Sequence, residues 1–177
     1  MADAIDKPAT YADIEALPPN VVGEILDGRL FQHPRPPPRH AFAASALGGE
    51  LVAPHQVGRG GPGGWITLDE PEPHIAGHVI VPDMAGRRVE RMPNLPVTAY
   101  FETAPDWACE FLSPSTQRID NGVKRVIDAE IDAAHFWYID QLPRTFFNDD
   151  DVAAPPFDAV TFSLGALSPV APKQTTL

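Results

Sequence analysis

Apolar and polar positions along this chain recur with two different periods, and the places where the period changes mark out its elements. Ile14 and Leu17 follow Thr10-Tyr-Ala-Asp13 at helical spacing. A threonine three residues ahead of an acid resembles a capping box, so a short helix is predicted between Pro8 and Pro19. Glu24-Ile-Leu and Arg29-Leu-Phe then flank Asp27-Gly28, a dipeptide that supplies the positive backbone angles of a tight hairpin, and two antiparallel strands are predicted there. Four prolines between Pro34 and Pro38 exclude regular helix and central strand and make that stretch a connector. Arg39 to Val52, rich in alanine and leucine and including Phe42, Leu47 and Leu51, reads as a helix packed on a sheet despite Gly48-Gly49. A strand-like Trp65-Ile-Thr follows. Three continuous apolar runs, His78 to Pro82, Trp107 to Leu112 and His135 to Ile139, have the character of strands in the covered middle of a sheet. Asp120 is placed to cap a helix running to about Asp132, and Asp158 to Leu164 reads as an edge strand.

Composition narrows the classes. A chain of 177 residues that is 44% hydrophobic and 21% charged has material for one core, so a single domain is expected over residues 10–165, with flexible ends at 1–9 and 166–177. There is no run of eighteen apolar residues, and MADAIDKPAT lacks both the basic start and the apolar stretch of a secretory signal. A cytoplasmic protein without a membrane segment is the expectation. The single cysteine, Cys109, excludes a disulfide framework and a cysteine zinc site and reads as a buried, inert thiol. The net charge of −11 matters because lysine and arginine supply most of the affinity of proteins for DNA. A nucleic-acid role must therefore rest on local basic groups (Arg87, Arg88, Arg91, Arg118, Lys124 and Arg125), on bound metal, or on a partner.

Several motifs dissolve on inspection. Gly58, Gly60 and Gly63 spell G-x-G-x-x-G, but Pro62 interrupts them and a strand follows where a dinucleotide loop needs a helix, so a flexible turn is predicted. His74 and His78 are four apart, yet Pro73 and Gly77 exclude the helix that such zinc spacing requires, which leaves ordinary loop histidines. Asp69, Glu70 and Glu72 read as a solvated strand edge, and Asp149 to Asp151 as a turn.

Two strings carry chemistry: VPDMAG at Val81 to Gly86 and WACEFLSPST at Trp107 to Thr116. Side chains alternate along a strand, so Trp107, Cys109 and Phe111 share one face while Glu110 and Leu112 share the other. Glu110 is then an acid inside an apolar strand, and Asp83, directly after Val79-Ile-Val-Pro, poses the same problem at the end of a neighbouring strand. Buried carboxylates take a cation, a donor or a metal for company, and one divalent metal would serve both. Mg²⁺ accepts oxygen ligands and keeps several waters, so two carboxylates and a main-chain carbonyl, that of Phe111, suffice. Lys124 recurs with Ile127, Asp128 and Ile131 on one helical stripe, which turns its ammonium towards the sheet, where it could hold a water or a phosphate oxygen. Taken singly, each of Asp83, Glu110 and Lys124 is more readily read as a helix cap or a salt-bridge partner; their joint placement favours the site.

VPDMAGRRVERMP, PDWACEFLSPST and the run from Asp120-Asn-Gly-Val-Lys124 to HFWYID at Asp140 together resemble the Uma-two family of restriction-endonuclease-like proteins, a branch of the PD-(D/E)xK nuclease superfamily. The similarity extends to GEILDGRLF at Gly23 to Phe31, to Arg39-His40 and to WITLDEPEPHI at Trp65 to Ile75, and covers roughly residues 10 to 165. It implies an α/β fold, a mixed sheet flanked by helices with a PD-(D/E)xK core and an N-terminal hairpin, and it implies Asp83 and Glu110 as ligands of Mg²⁺ or Mn²⁺. The superfamily lysine commonly sits two residues after the glutamate. That position is Leu112 here, and the family's solution moves the lysine to Lys124. Glu24 matches an early family glutamate and stands as a further acid near the metal; His40 matches a family histidine, with no chemistry assigned. The chain departs from the family at Asp128, where a tyrosine is usual, at Arg87, where a tryptophan is frequent, and in a shortened segment after Asp140. The expectation is an endonuclease that hydrolyses DNA phosphodiester bonds, with homodimerisation as a means of cutting two strands. The rival is a catalytically degenerate nuclease-fold binding or regulatory module, favoured by the negative charge and the departures.

Overall fold

A computed structural model of the chain describes residues 7–112, 133–140 and 151–168. Helix α1, Tyr11–Glu15, begins where the Thr10 amide donates to the Asp13 carboxylate at 2.7 Å, the capping arrangement foreseen from the sequence. Strands β1, Val21–Leu26, and β2, Arg29–Pro34, form the expected hairpin. Asp27 and Gly28 both take positive φ, at 50° and 70°, as a two-residue turn between twisted strands requires. Helix α2, Pro38–Leu51, starts on a proline in its first turn, where no amide donor is needed, and buries His40, Ala43, Leu47 and Leu51 on one face. A π-helical turn, Val52–Gln56, extends it, and Gly58 to Gly64 forms an irregular loop with no helix behind it.

The remaining strands are β3, Trp65–Asp69; β4, His74–Ile75; β5, His78–Val79; β6, Met84–Arg88; β7, Trp107–Leu112; β8, His135–Asp140; β9, Asp151–Val152; and β10, Phe162–Ser163. They form two four-stranded sheets, ordered β2-β1-β5-β4 and β3-β6-β7-β8, and a two-stranded ribbon of β9 and β10. The second sheet is mixed: β3, β6 and β7 pair antiparallel, whereas β7 and β8 run parallel. The architecture is therefore the mixed α+β one that the resemblance implies.

Three strand expectations are corrected. The run His78 to Pro82 is strand only at His78 and Val79, because the chain leaves one sheet there and enters the other at Met84; Asp83 consequently heads β6 instead of ending the strand before it. β8 lies at the end of its described sheet order and is half-buried throughout, so its apolar residues do not mark a covered central strand. Within Asp158 to Leu164 only Phe162 and Ser163 are strand. The helix expected from Asp120, with Lys124 and Asp128, lies outside the described residues.

The main core lies between α2 and the β3-β6-β7-β8 sheet. Ala43, Leu47 and Leu51 meet Trp65, Met84, Trp107, Cys109 and Phe111, joined from the C-terminal part by Phe157, Phe162 and Leu167. Trp107, Cys109 and Phe111 thus do share one face, as alternation demands. Leu167 shows that core packing extends beyond residue 165. A smaller cluster around Leu26 and Ile80 includes Phe31, Ile75 and Phe136.

Candidate active site

Asp83 sits at the crossing between the two sheets, and both of its carboxylate oxygens are held. Oδ1 lies 2.8 Å from Nε2 of His40, on the buried face of α2, and Oδ2 accepts the Phe111 amide at 2.7 Å. The His40 ring also packs at 5.6 Å from the Phe111 ring. Helix, strand head and central strand therefore converge on one carboxylate. The pairing of β6 with β7 matches Met84 to Cys109, Ala85 to Ala108 and Gly86 to Trp107; one step further along that register, Asp83 falls across from Glu110. Glu110 is only 6% exposed, in a strand otherwise built of buried apolar residues.

The electrostatics agree that the two acids come together. The thiol of Cys109, fully enclosed in the same strand, is pushed well above its ordinary pKa by burial, then by the negative charges of Glu110 and Asp83. It is a free, buried thiol, as expected of a small hydrophobe, and is kept protonated. Glu24 is also buried, and its Oε1 accepts the Val81 amide at 2.8 Å, two residues before Asp83, while Oε2 lies 3.6 Å from Nε2 of His33. The early glutamate thus ties the first sheet to the crossing segment that carries Asp83.

The donor set suits a hard divalent ion. A carboxylate offers about four lone-pair sites; one oxygen of Asp83 faces His40 and the other an amide, which leaves each with capacity to spare. Among the described residues no group of three or more His, Cys, Asp or Glu side chains is arranged for a metal. Two acids with main-chain and water oxygens form a composition that fits Mg²⁺ better than Zn²⁺.

His40, singled out in the sequence by the resemblance but given no chemistry there, is brought by the structure onto Asp83. Its position on the buried stripe of α2, three residues before Ala43, was the available signal, since a histidine on an apolar face needs a partner and an acid is the natural one. Other expectations shift in detail. His78 accepts the Asp27 amide at 3.1 Å through Nδ1, and His74 lies 2.8 Å from Glu72 while stacking on Tyr100 at 4.0 Å. Glu70 pairs with Arg35 at 2.6 Å, so the acidic run is an engaged edge and not merely a solvated one. The nearby Tyr11 hydroxyl is pushed up to about 12 by burial and by Glu72. The basic groups Arg87, Arg88 and Arg91 do not form a free patch. Arg87 is buried, Arg88 lies over the Trp65 ring at 4.3 Å, and Arg91 pairs with Asp106.

Comparisons with known proteins bear on the family and the fold. A family model described as "Putative restriction endonuclease", that of the Uma-two family, matches residues 8–148. A crystal structure from Anabaena variabilis ATCC 29413, described as a putative nuclease belonging to DUF820, superposes with a TM-score of 0.70 over 90% of this chain and 97% of that one. At 22% identity the likeness is one of fold. No curated protein matches the chain.

Proposed function

The chain belongs to the Uma-two family, whose model matches residues 8–148, and from that premise we propose that it is a Mg²⁺- or Mn²⁺-dependent endonuclease hydrolysing DNA phosphodiester bonds. The observation that carries the reading is the doubly anchored Asp83, fixed by His40 and the Phe111 amide at the strand position that register sets across from buried Glu110. Asp83 and Glu110 hold the ion. A residue in an extended strand sends its N–H and C=O to the same side, so the bond from the Phe111 amide to Asp83 supports the Phe111 carbonyl as a third ligand. Glu24 acts on the site by securing the crossing segment at Val81. Lys124 orients the attacking water or a phosphate oxygen. An ion held by these residues would supply acidification of a water and charge stabilisation at the phosphate.

Purified protein incubated with supercoiled plasmid and with single-stranded DNA, in Mg²⁺ and in Mn²⁺, tests the proposal beside Lys124→Ala and Glu110→Ala. Cutting by the parent and not by the variants is the expected result. A parent that cuts neither substrate with either ion, or variants that cut as well as the parent, would sink it. The second reading, a nuclease fold that binds without cutting, is favoured by the net charge of −11 and gains if the parent is silent.

A further inference from the structure

Arg87 stands on β6 four residues beyond Asp83, about 13 Å along the strand at its usual rise. It is 3% exposed, and its Nε and Nη2 atoms are enclosed with no hydrogen-bond partner. Its charge is compensated by the Phe101 ring, 5.2 Å from the guanidinium carbon, and at longer range by Asp106. An enclosed guanidinium with unused donors is costly to keep, far more so than a surface one. Arg87 also lines a cavity of about 440 Å³, walled further by Arg91, Tyr100 and Phe101, with Thr98 and Thr103 contributing hydroxyls. That volume lies in the range of small-molecule sites. Among the described residues the acid lining the cavity is Glu102, which is exposed; Asp106 accepts from Arg91 and from the Arg88 amide.

We propose that this cavity is an oxyanion site that takes a phosphate group, with Arg87 as its buried anchor and Arg91 as its second cation. A guanidinium spreads its charge over the whole planar group, so a phosphate in the cavity is attracted to Arg87 although Nε and Nη2 are themselves enclosed. Two such groups bordering one cavity favour a dianion over a single carboxylate. The surroundings point the same way: burial and then the neighbouring Arg91 charge pull Arg87 below its ordinary pKa, Asp106 opposing them only in part, and a bound anion would add to that opposition. The site is separate from the two acids and does not depend on the nuclease reading. The phosphate has two sources, a free or terminal phosphate and an internal phosphate of a nucleic-acid strand.

Calorimetry in EDTA, at constant ionic strength, with inorganic phosphate against chloride, separates this claim from any result on cleavage. A saturable heat of one phosphate per chain is expected, weakened about tenfold or more in Arg87→Met, as loss of a charge-assisted contact predicts. It should weaken less in Arg91→Gln and stay unchanged in Asp83→Asn. Arg87→Met, an apolar replacement of similar length, should melt no lower than the parent in phosphate-free buffer while losing the rise in melting temperature that phosphate gives the parent. If that variant does not fold, Arg91→Gln carries the comparison. Competition by an oligonucleotide without terminal phosphates assigns the site to strand phosphates, and failure to compete assigns it to free or terminal ones; both outcomes support the site. Absence of saturable binding in the parent, or full affinity in a folded Arg87→Met, overturns it.

Discussion

His40 shows how much one residue can decide at this site. Its imidazole holds Oδ1 of Asp83 at 2.8 Å from the buried face of α2, so replacing it removes one of two anchors from the carboxylate without removing the carboxylate itself. His40→Ala is expected to raise the metal concentration for half-maximal cleavage and to slow cleavage by about 10- to 100-fold, the usual scale for a residue that orients a ligand. A metal titration of the cleavage rate checks this; loss of rate at every concentration with unchanged half-saturation would make its role structural. A second histidine gives a pH prediction. His55 is buried against Phe157, with ring centroids 4.7 Å apart, and burial, then the Arg88 charge, holds its pKa below the ordinary 6.5. The folded chain therefore keeps it neutral where the unfolded chain takes up a proton. Stability tied to His55 is complete above pH 6.5 and falls as pH drops below that value towards the lower folded-state pKa. Urea midpoints at pH 7.5 and 5.5 should lie closer together in His55→Leu than in the parent.

At the scale of elements, β6 is the strand on which the site hangs, and Gly86 is its narrowest point. A Cβ there would lie 3.2 Å from the Trp107 ring and 3.3 Å from the Trp65 ring. Both tryptophans are fixed in the core and cannot give way together, so Gly86→Ala should cost about 1–3 kcal/mol by chemical denaturation. Leu47→Ala, which empties the centre of the α2 face, should cost about 2–5 kcal/mol. These elements were largely legible in the sequence. Asp27-Gly28 dictates its hairpin, Leu47 and Leu51 recur at helical spacing and are buried while Phe42, counted with them in the sequence, is exposed, and Trp107 to Leu112 is strand over its whole predicted length. What was not legible depends on distant partners. His78 to Pro82 has the composition of a strand, but the chain spends three of those residues passing between sheets; pairing partners, which local composition does not reveal, decide where a strand stops. For the same reason the acids Asp83 and Glu110 could be singled out from the sequence, while their connection through His40 and the Phe111 amide could not, since it joins residues 43 and 28 positions apart.

For the whole molecule, the acidic balance sets how DNA must be met. With a net charge of −11 and with Arg88 over the Trp65 ring and Arg91 paired with Asp106, the free protein should bind DNA feebly in EDTA. Ca²⁺, which like Mg²⁺ takes oxygen ligands, should raise the affinity at constant ionic strength, as read by fluorescence anisotropy. Equal affinity with and without the ion would remove metal from recognition. Among the described residues no helix is long and apolar enough to cross a membrane. A homodimer remains a proposal that sedimentation tests directly, with a mass near twice 19.2 kDa as the expected value. The central claim is that Asp83 and Glu110 together hold one divalent ion. Titrating Mn²⁺ into the parent and into Asp83→Asn, with binding followed by calorimetry, tests it most directly. One saturable site per chain in the parent, lost in a variant that still melts cooperatively, is the predicted result; an undiminished site in Asp83→Asn, or no site in the parent, would contradict it.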